Sequence, residues 1–315
     1  MKIYKKLFNI FLLFLSCLFL QFQQKAHYQL RNFILCSSNI TIKINTTGIQ
    51  SIFYDNCKTN ECGWNFPDTI YLNGNLINNI DPKINLTKEG ENTIILEWNN
   101  KLNSTNNMFR DCINIKEIDL SQFDSSLVTR MSSMFMNCYS LINVVFSNFD
   151  TSSFNAIGSM FYNCTSLISL NLSNFYTTKL VYSNDVFYNC QNLISLDLSN
   201  FITTNVTTFK DMFNNCLSLI SINFKNLNMD SVNKTINIFY NCKMLNYLNL
   251  ESYEEKSDLD YDNIFAEITN LTICFNQSKN PSLTKFIKNN DKIIITDKCF
   301  NEMDDTSIND KETDI

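Results

Sequence analysis

Histidine and glycine are almost missing from this chain. The only histidine is His27, beside an N-terminal apolar segment that export would remove. A mature chain without imidazole cannot build a Ser-His-Asp or Cys-His arrangement, nor a histidine-containing zinc site. The five glycines (Gly48, Gly63, Gly74, Gly90, Gly158) are never clustered, which excludes a P-loop and a dinucleotide fingerprint. A basic surplus is absent too: the net charge of −6 argues against nucleic acid, which needs a concentrated cationic face. No apolar run after the first is long enough for a second membrane segment. The acidic C-terminus (Glu302, Asp304, Asp305, Asp310, Glu312, Asp314) is not the apolar tail of a lipid-anchor signal. No cofactor is implied.

What is present begins with an export signal. Lys2, Lys5 and Lys6 precede an apolar run from Leu7 to Leu20, short for a membrane span and flanked as a signal peptide is. Residues 1–26 are read as that signal, with cleavage between Leu20 and His27. An uncleaved anchor is the alternative, and Cys17 is a weaker candidate for lipidation. Secretion or surface display follows. Ten Asn-x-Ser/Thr sequons fit that route, at Asn39, Asn45, Asn85, Asn103, Asn163, Asn171, Asn205, Asn233, Asn270 and Asn276. An asparagine-rich chain produces many by chance, so they permit glycosylation without proving it.

One phrase then recurs six times, each copy 26 residues after the last. It is marked by Phe109/Cys112, Phe135/Cys138, Phe161/Cys164, Phe187/Cys190, Phe213/Cys216 and Phe239/Cys242. Strict recurrence at such a period is the signature of a solenoid, whose coils bury their apolar edges by stacking on one another. In the third copy Leu167, Leu170, Leu172 and Phe175 are spaced L-x-x-L-x-L-x-x-F. Alternation around Leu170 and Leu172 predicts a short strand with Ser169, Asn171 and Ser173 facing outward. Apolar residues three or four apart, as in Val128, Met131, Met134 and Phe135, predict one or two helical turns on the opposite side.

The repeats occupy 107–251. Residues 27–106 form a β-rich N-terminal cap, with strands expected at Ile40–Ile44, Thr69–Leu72, Leu76–Ile77 and Thr93–Trp98 and a hairpin turn at Asn73-Gly74. Residues 252–303 form a C-terminal cap with strands at Leu271–Phe275 and Lys292–Thr296, and 304–315 an acidic disordered tail. The fold class is an α/β leucine-rich-repeat solenoid.

The phrase resembles the BspA-like leucine-rich repeats of the 26-residue "surface protein" type, over nearly half of the chain. Met134-Phe135, Cys138, Leu141, the run Leu120-Ser121-Gln122-Phe123-Asp124-Ser125-Ser126-Leu127-Val128-Thr129-Arg130-Met131 and Leu198-Ser199-Asn200-Phe201 carry the likeness. The resemblance implies a leucine-rich-repeat solenoid in an exported or cell-surface protein; some relatives are adhesins. Asn228-Met229-Asp230-Ser231-Val232 departs from the pattern, so the last coil is expected to be irregular.

Equal spacing puts the six repeat cysteines in one column, one per coil. Such a row cannot converge tetrahedrally on a zinc ion, and a buried ladder of thiols is the better reading. Cys274 and Cys299 lie on or beside the two terminal strands and are the expected disulfide. Cys36, Cys57 and Cys62 leave one unpaired whichever two join. Asp258-Leu259-Asp260-Tyr261-Asp262 opens like a calcium loop, but Asn263 and Thr269 stand where glycine and glutamate are needed.

Two outward rows are the candidate ligand face. One is Glu117, Asn143, Ser169, Ser195, Ser221 and Tyr247; the other is Asp119, Val145, Asn171, Asp197, Asn223 and Asn249. Non-catalytic recognition or adhesion is the function expected, with a protein or glycan partner. A structural component of a coat or matrix is the alternative. A hydrolase is remote: Asp119 and Asp197, three coils or about 15 Å apart by strand spacing, stand too far from one another for a glycosidase pair.

Overall fold

The computed structural model describes residues 38–54, 63–232, 236–255, 261–296 and 299. The signal segment with Cys17, His27, Cys36, Cys57, Cys62, Asn233, the acidic loop 256–260 and the tail lie outside the described residues.

The cap forms β1 (Ser38–Ile44), β2 (Gly48–Ser51), β3 (Thr69–Leu72), β4 (Asn75–Ile77), β5 (Lys83–Leu86) and β6 (Asn92–Trp98). β1 and β6 alternate buried and half-buried residues along their whole length, the pattern of strands with one face on a core. Asn73 and Gly74 both have positive φ, as the expected tight hairpin turn requires. β2 and β5 pair separately.

Most repeats then contribute one short strand: β7 (Ile115–Asp119), β8 (Asn143–Val145), β9 (Ser195–Asp197), β10 (Ser221–Asn223) and β11 (Tyr247–Asn249). β12 (Leu271–Cys274) and β13 (Ile293–Thr296), the two terminal strands expected, extend the same parallel ladder. The sheet orders are β4-β3-β6-β1-β7-β8 and β13-β12-β11-β10-β9. The cap is thus continuous with the stack, because β1 pairs antiparallel with the first repeat strand β7.

Inside, the phenylalanine of every copy stacks on the next. Ring centroids lie 5.9, 5.2, 5.6, 5.5 and 5.5 Å apart from Phe109 to Phe239. The column continues to Phe265, 6.1 Å beyond Phe239. The sequence places the end of the repeats at Glu251, but the stack runs on past it. The signal for that extra coil is a lone phenylalanine 26 residues after Phe239, with Ile268 where the cysteine would be.

Among the described residues, the helical turns expected opposite the strands are not there. Val128, Met131, Met134 and Phe135 are buried as their spacing implies, but the backbone follows a different path. Ser133 and Asn137 have φ of 56° and 61°, and the same left-handed pair recurs at Ser159/Asn163, Asp185/Asn189, Asp211/Asn215 and Asn237/Asn241. A left-handed residue every fourth position interrupts any right-handed helix, and Asn and Asp, which fill most of these places, tolerate that region better than other residues with a side chain. The peptide groups instead bond along the stack. Ser133, Phe135 and Asn137 donate to the carbonyls of Gly158, Met160 and Tyr162 in the next coil at 2.8–2.9 Å. Met134, Met136 and Cys138 donate within their own coil, three residues back. Among the described residues, the longest helix is Pro281–Lys288 in the C-terminal cap.

Such columns leave bare carbonyls at the first coil, and the N-terminal cap supplies their donors. The Trp64 indole N–H donates to the Asn106 carbonyl at 2.8 Å, and the Tyr54 N–H to that of Met108 at 2.9 Å. A third column uses hydroxyls: Ser125, Thr151, Thr177 and Thr203 each accept a backbone N–H from the next coil. Ser38 of β1 plays the same part for Asp124 at 2.9 Å. The cap is a bonded continuation of three columns as well as a cover for apolar surface.

The ladder fails at one place. No strand forms at Ser169–Asn171, the copy whose sequence predicts one most clearly, and the sheet divides there. Leu120, Leu198, Phe224 and Leu250 each donate to the carbonyl one coil on, at 2.8–2.9 Å. Phe146 and Leu172, at the same places in their copies, form no such backbone bond among the described residues. Crowding explains the parting of the second and third coils. The second coil carries Phe146, Phe149 and Phe154, where the first has Leu120, Phe123 and Val128. Phe123 stacks on Phe149, and Phe175 on Phe201. Between these pairs Phe175 meets the edge of Phe146 at 5.0 Å instead. Extra ring volume in a packed interior must be relieved by backbone movement.

Candidate functional site

The residues that dominate the sequence are consumed inside the stack. Every repeat cysteine is buried as a thiol. Cys138, Cys164, Cys190, Cys216 and Cys242 donate S–H to the carbonyls of Phe109, Phe135, Phe161, Phe187 and Phe213, one coil back, at 3.0–3.1 Å. Burial raises all five thiol pKa values, that of Cys242 to about 12. A neutral buried thiol is a poor nucleophile and metal ligand. Among the described residues no cluster of His, Cys, Asp and Glu gathers as a metal site.

Cys112 is the first rung of the column. It is as buried as the others, but its Sγ donates to the Arg110 carbonyl of its own coil, at a longer 3.8 Å. The acceptor of each later cysteine is the phenylalanine 29 residues earlier. Twenty-nine residues before Cys112 stands Lys83, in β5 of the cap. The first coil has no repeat before it, so no phenylalanine carbonyl of an earlier copy stands below Cys112.

The left-handed asparagines form a second ladder. Asn163 donates to the Asn137 side chain at 2.9 Å and accepts from Asn189 at 2.8 Å, while Asn137 reaches Asp111 and Asn241 reaches Asn215. The Asn163 sequon therefore places its amide inside this ladder, and a sugar on Nδ2 would break it. Asn45, Asn85, Asn103, Asn205 and Asn270 are exposed, and Asn39 is half-buried in β1.

The first candidate row behaves largely as its spacing implies. Glu117 pairs in register with Asn143, and Ser195, Ser221, Tyr247 and Thr272 follow one another across four parallel strands. Asn143 and Ser169 are exposed, and the later members are half-buried. Glu117 is not an isolated charge: Lys43 of β1 lies 3.0 Å away and also 3.6 Å from Glu91. The hydrogen bond to Glu117 and the two carboxylates push the Lys43 pKa up.

The second row has a structural duty. Asp119, Asn171, Asp197 and Asn249 each accept the N–H two residues on, at 2.8–3.0 Å. These side chains close the turn that follows each of these positions. Asn249 is wholly buried and leaves the accessible face. The next place in its row is Cys274, whose disulfide to Cys299, the bridge expected from sequence, has a Cα–Cα distance of 5.4 Å and ties the chain across this part of the face.

One column escaped the sequence reading. Ile142, Ile168, Ile194 and Ile220, one residue before the outward row, are 37–48% exposed. Ile220 donates its N–H to Ile194 and Ile194 to Ile168, at 2.7 and 3.0 Å, so these three hold register where the strand at Ser169–Asn171 is missing. The signal was present as isoleucine repeated four times at the 26-residue period. It was hidden because an apolar residue beside a strand is ordinarily assigned to the core.

At the far end a small apolar cavity of about 30 Å³ lies among Phe209, Leu227, Met229, Phe239 and Phe265. It marks the expected irregular copy: Leu227 and Met229 stand where earlier copies have phenylalanine and a hydroxyl.

Parallel coils bonded through strands, left-handed turns and hydroxyls define the chain as a β-solenoid repeat protein. It belongs to the family described as Mycoplasma protein of unknown function, DUF285, whose model matches residues 100–223 and again 160–278. Comparison with curated proteins and with solved structures finds no match.

Proposed function

We propose that this protein is an exported, non-catalytic recognition or adhesion solenoid of the BspA-like type, displayed at or outside the cell surface. One observation carries the reading. Phenylalanines, cysteines and asparagines, the most regular residues, are spent on holding the stack. A row of polar residues, exposed at Asn143 and Ser169 and half-buried from Ser195 on, runs beside exposed isoleucines over four coils. Repeat proteins bind through such extended faces. The N-terminal Lys2–Leu20 segment supports export, and the exposed sequons support glycosylation on that route.

Surface labelling of cells that carry the full chain, with saturation binding of the purified protein to intact cells, tests this. The expected result is label from outside, saturable binding, and weaker binding for the combined Glu117→Gln, Asp119→Asn and Tyr247→Ala variant. A chain shielded from label overturns export. Self-association that tolerates the three changes replaces recognition with a coat component.

A further inference from the structure

The isoleucine column has the dimensions of a narrow track. It is one residue wide and spans four coils, about 15 Å at the spacing of parallel strands. A stable protein interface needs on the order of 800 Å² per partner, far more than four half-exposed isoleucines offer. The track is also uncharged: no ionisable residue interrupts Ile142 to Ile220 in its column, and Ser169, Ser195 and Ser221 run alongside. Lys116 and Asn246 occupy the same place in the copies on either side.

The period of the track discriminates between slender ligands. Coils repeat at roughly 4.8 Å, whereas an extended peptide returns a side chain to the same face every 6.7 Å or so. A peptide laid along the axis therefore drifts out of step with the isoleucines. A linear β-1,4-linked glycan has a residue length close to one coil, and although successive residues are turned over, both faces of each ring carry C–H groups. Its apolar C–H faces pack on isoleucine while its equatorial hydroxyls reach the serines. At the far end Tyr247, half-buried, follows Ser221 in register, which sets an aromatic residue beside the end of the track.

Resting on the recognition reading above, we propose that Ile142, Ile168, Ile194 and Ile220, with Ser195, Ser221 and Tyr247, bind a neutral, linear, β-linked polysaccharide along the stack axis. Calorimetric titration of the full chain with short and long cello-oligosaccharides tests this, with malto-oligosaccharides of the same lengths as the geometric control. Affinity is expected to rise with length for the β-linked series alone. Ile194→Asn, an exposed change that leaves the core intact, is expected to weaken it about tenfold, and Tyr247→Ala similarly. Equal binding of the α-linked series, or binding indifferent to Ile194→Asn in a variant with unchanged circular dichroism, overturns the proposal. So does no binding to any glycan while the chain still saturates intact cells, a result that leaves the recognition reading standing. Failure to bind cells as well removes both. Concentration-dependent dimerisation abolished by Ile194→Asn assigns the track to a second copy instead.

Discussion

Cys138, Cys164, Cys190, Cys216 and Cys242 show how a reactive residue becomes an inert one. Each gives its S–H to a carbonyl that already accepts a backbone N–H, and burial holds it neutral. In the native protein these thiols are expected to resist a thiol-directed reagent until the chain is unfolded; fast native labelling of the repeat cysteines would contradict the ladder. The same burial sets a pH dependence. Below the ordinary thiol pKa both folded and unfolded forms are protonated, so stability does not change on this account. Above it only the unfolded chain ionises, and stability falls until the folded pKa is reached, about 12 for Cys242. The loss approaches about 1.4 kcal/mol per pH unit for each such thiol. Urea midpoints measured from pH 7 to pH 10 should therefore be flat and then drop; no drop would argue against buried thiols.

Among the elements, the third coil stands apart. Its strand sequence has the right alternation, yet Leu172 lacks the bond that Leu198 makes to Asn223 at 2.8 Å. Alternation specifies which side chains face in, while ladder formation also needs the neighbouring coil at the right distance. Phe146 disturbs that distance from the coil before. The Leu172 amide is expected to exchange with solvent well ahead of the Leu198 amide, and Phe146→Leu should bring the two closer. Equal protection in the native protein would count against the crowding argument. The turn side teaches a related lesson. Spacing of three and four correctly identified Val128, Met131, Met134 and Phe135 as buried, but that spacing is shared by helices and by consecutive turns. The recurring Asn137, Asn163, Asn189, Asn215 and Asn241 point to the second, since asparagine accepts left-handed backbone.

For the molecule as a whole, the two ends decide whether a stack of coils stays closed. Tyr54, Trp64 and Ser38 complete the columns at one end. At the other, the Cys274–Cys299 bridge spans 25 residues. Closing a loop of that length removes enough unfolded-chain entropy to stabilise by about 3.5 kcal/mol. Cys299→Ser is expected to lower the unfolding free energy by about that amount in oxidising buffer and to have no effect once the wild type is reduced. A variant as stable as the oxidised wild type would show that the bridge does not hold this end.

The amino-acid sequence by itself determined the solenoid, its period, its inward phenylalanine and cysteine columns and the terminal disulfide, because a repeat must satisfy the same contacts in every coil. Tertiary structure alone decided where that equivalence ends and which polar positions remain available. Cys112 matches the later cysteines in sequence, yet its Sγ reaches the Arg110 carbonyl of its own coil. Asn249 and Asn163 look as free in sequence as Asn143 does, but one lies beside a disulfide and the other within a ladder. Ile142, Ile168, Ile194 and Ile220 carry no mark of exposure in the sequence and yet face solvent, because the chain turns between the leucine before them and the strand after. Such turns depend on backbone bonds between coils 26 residues apart, a distance over which local pattern carries no information.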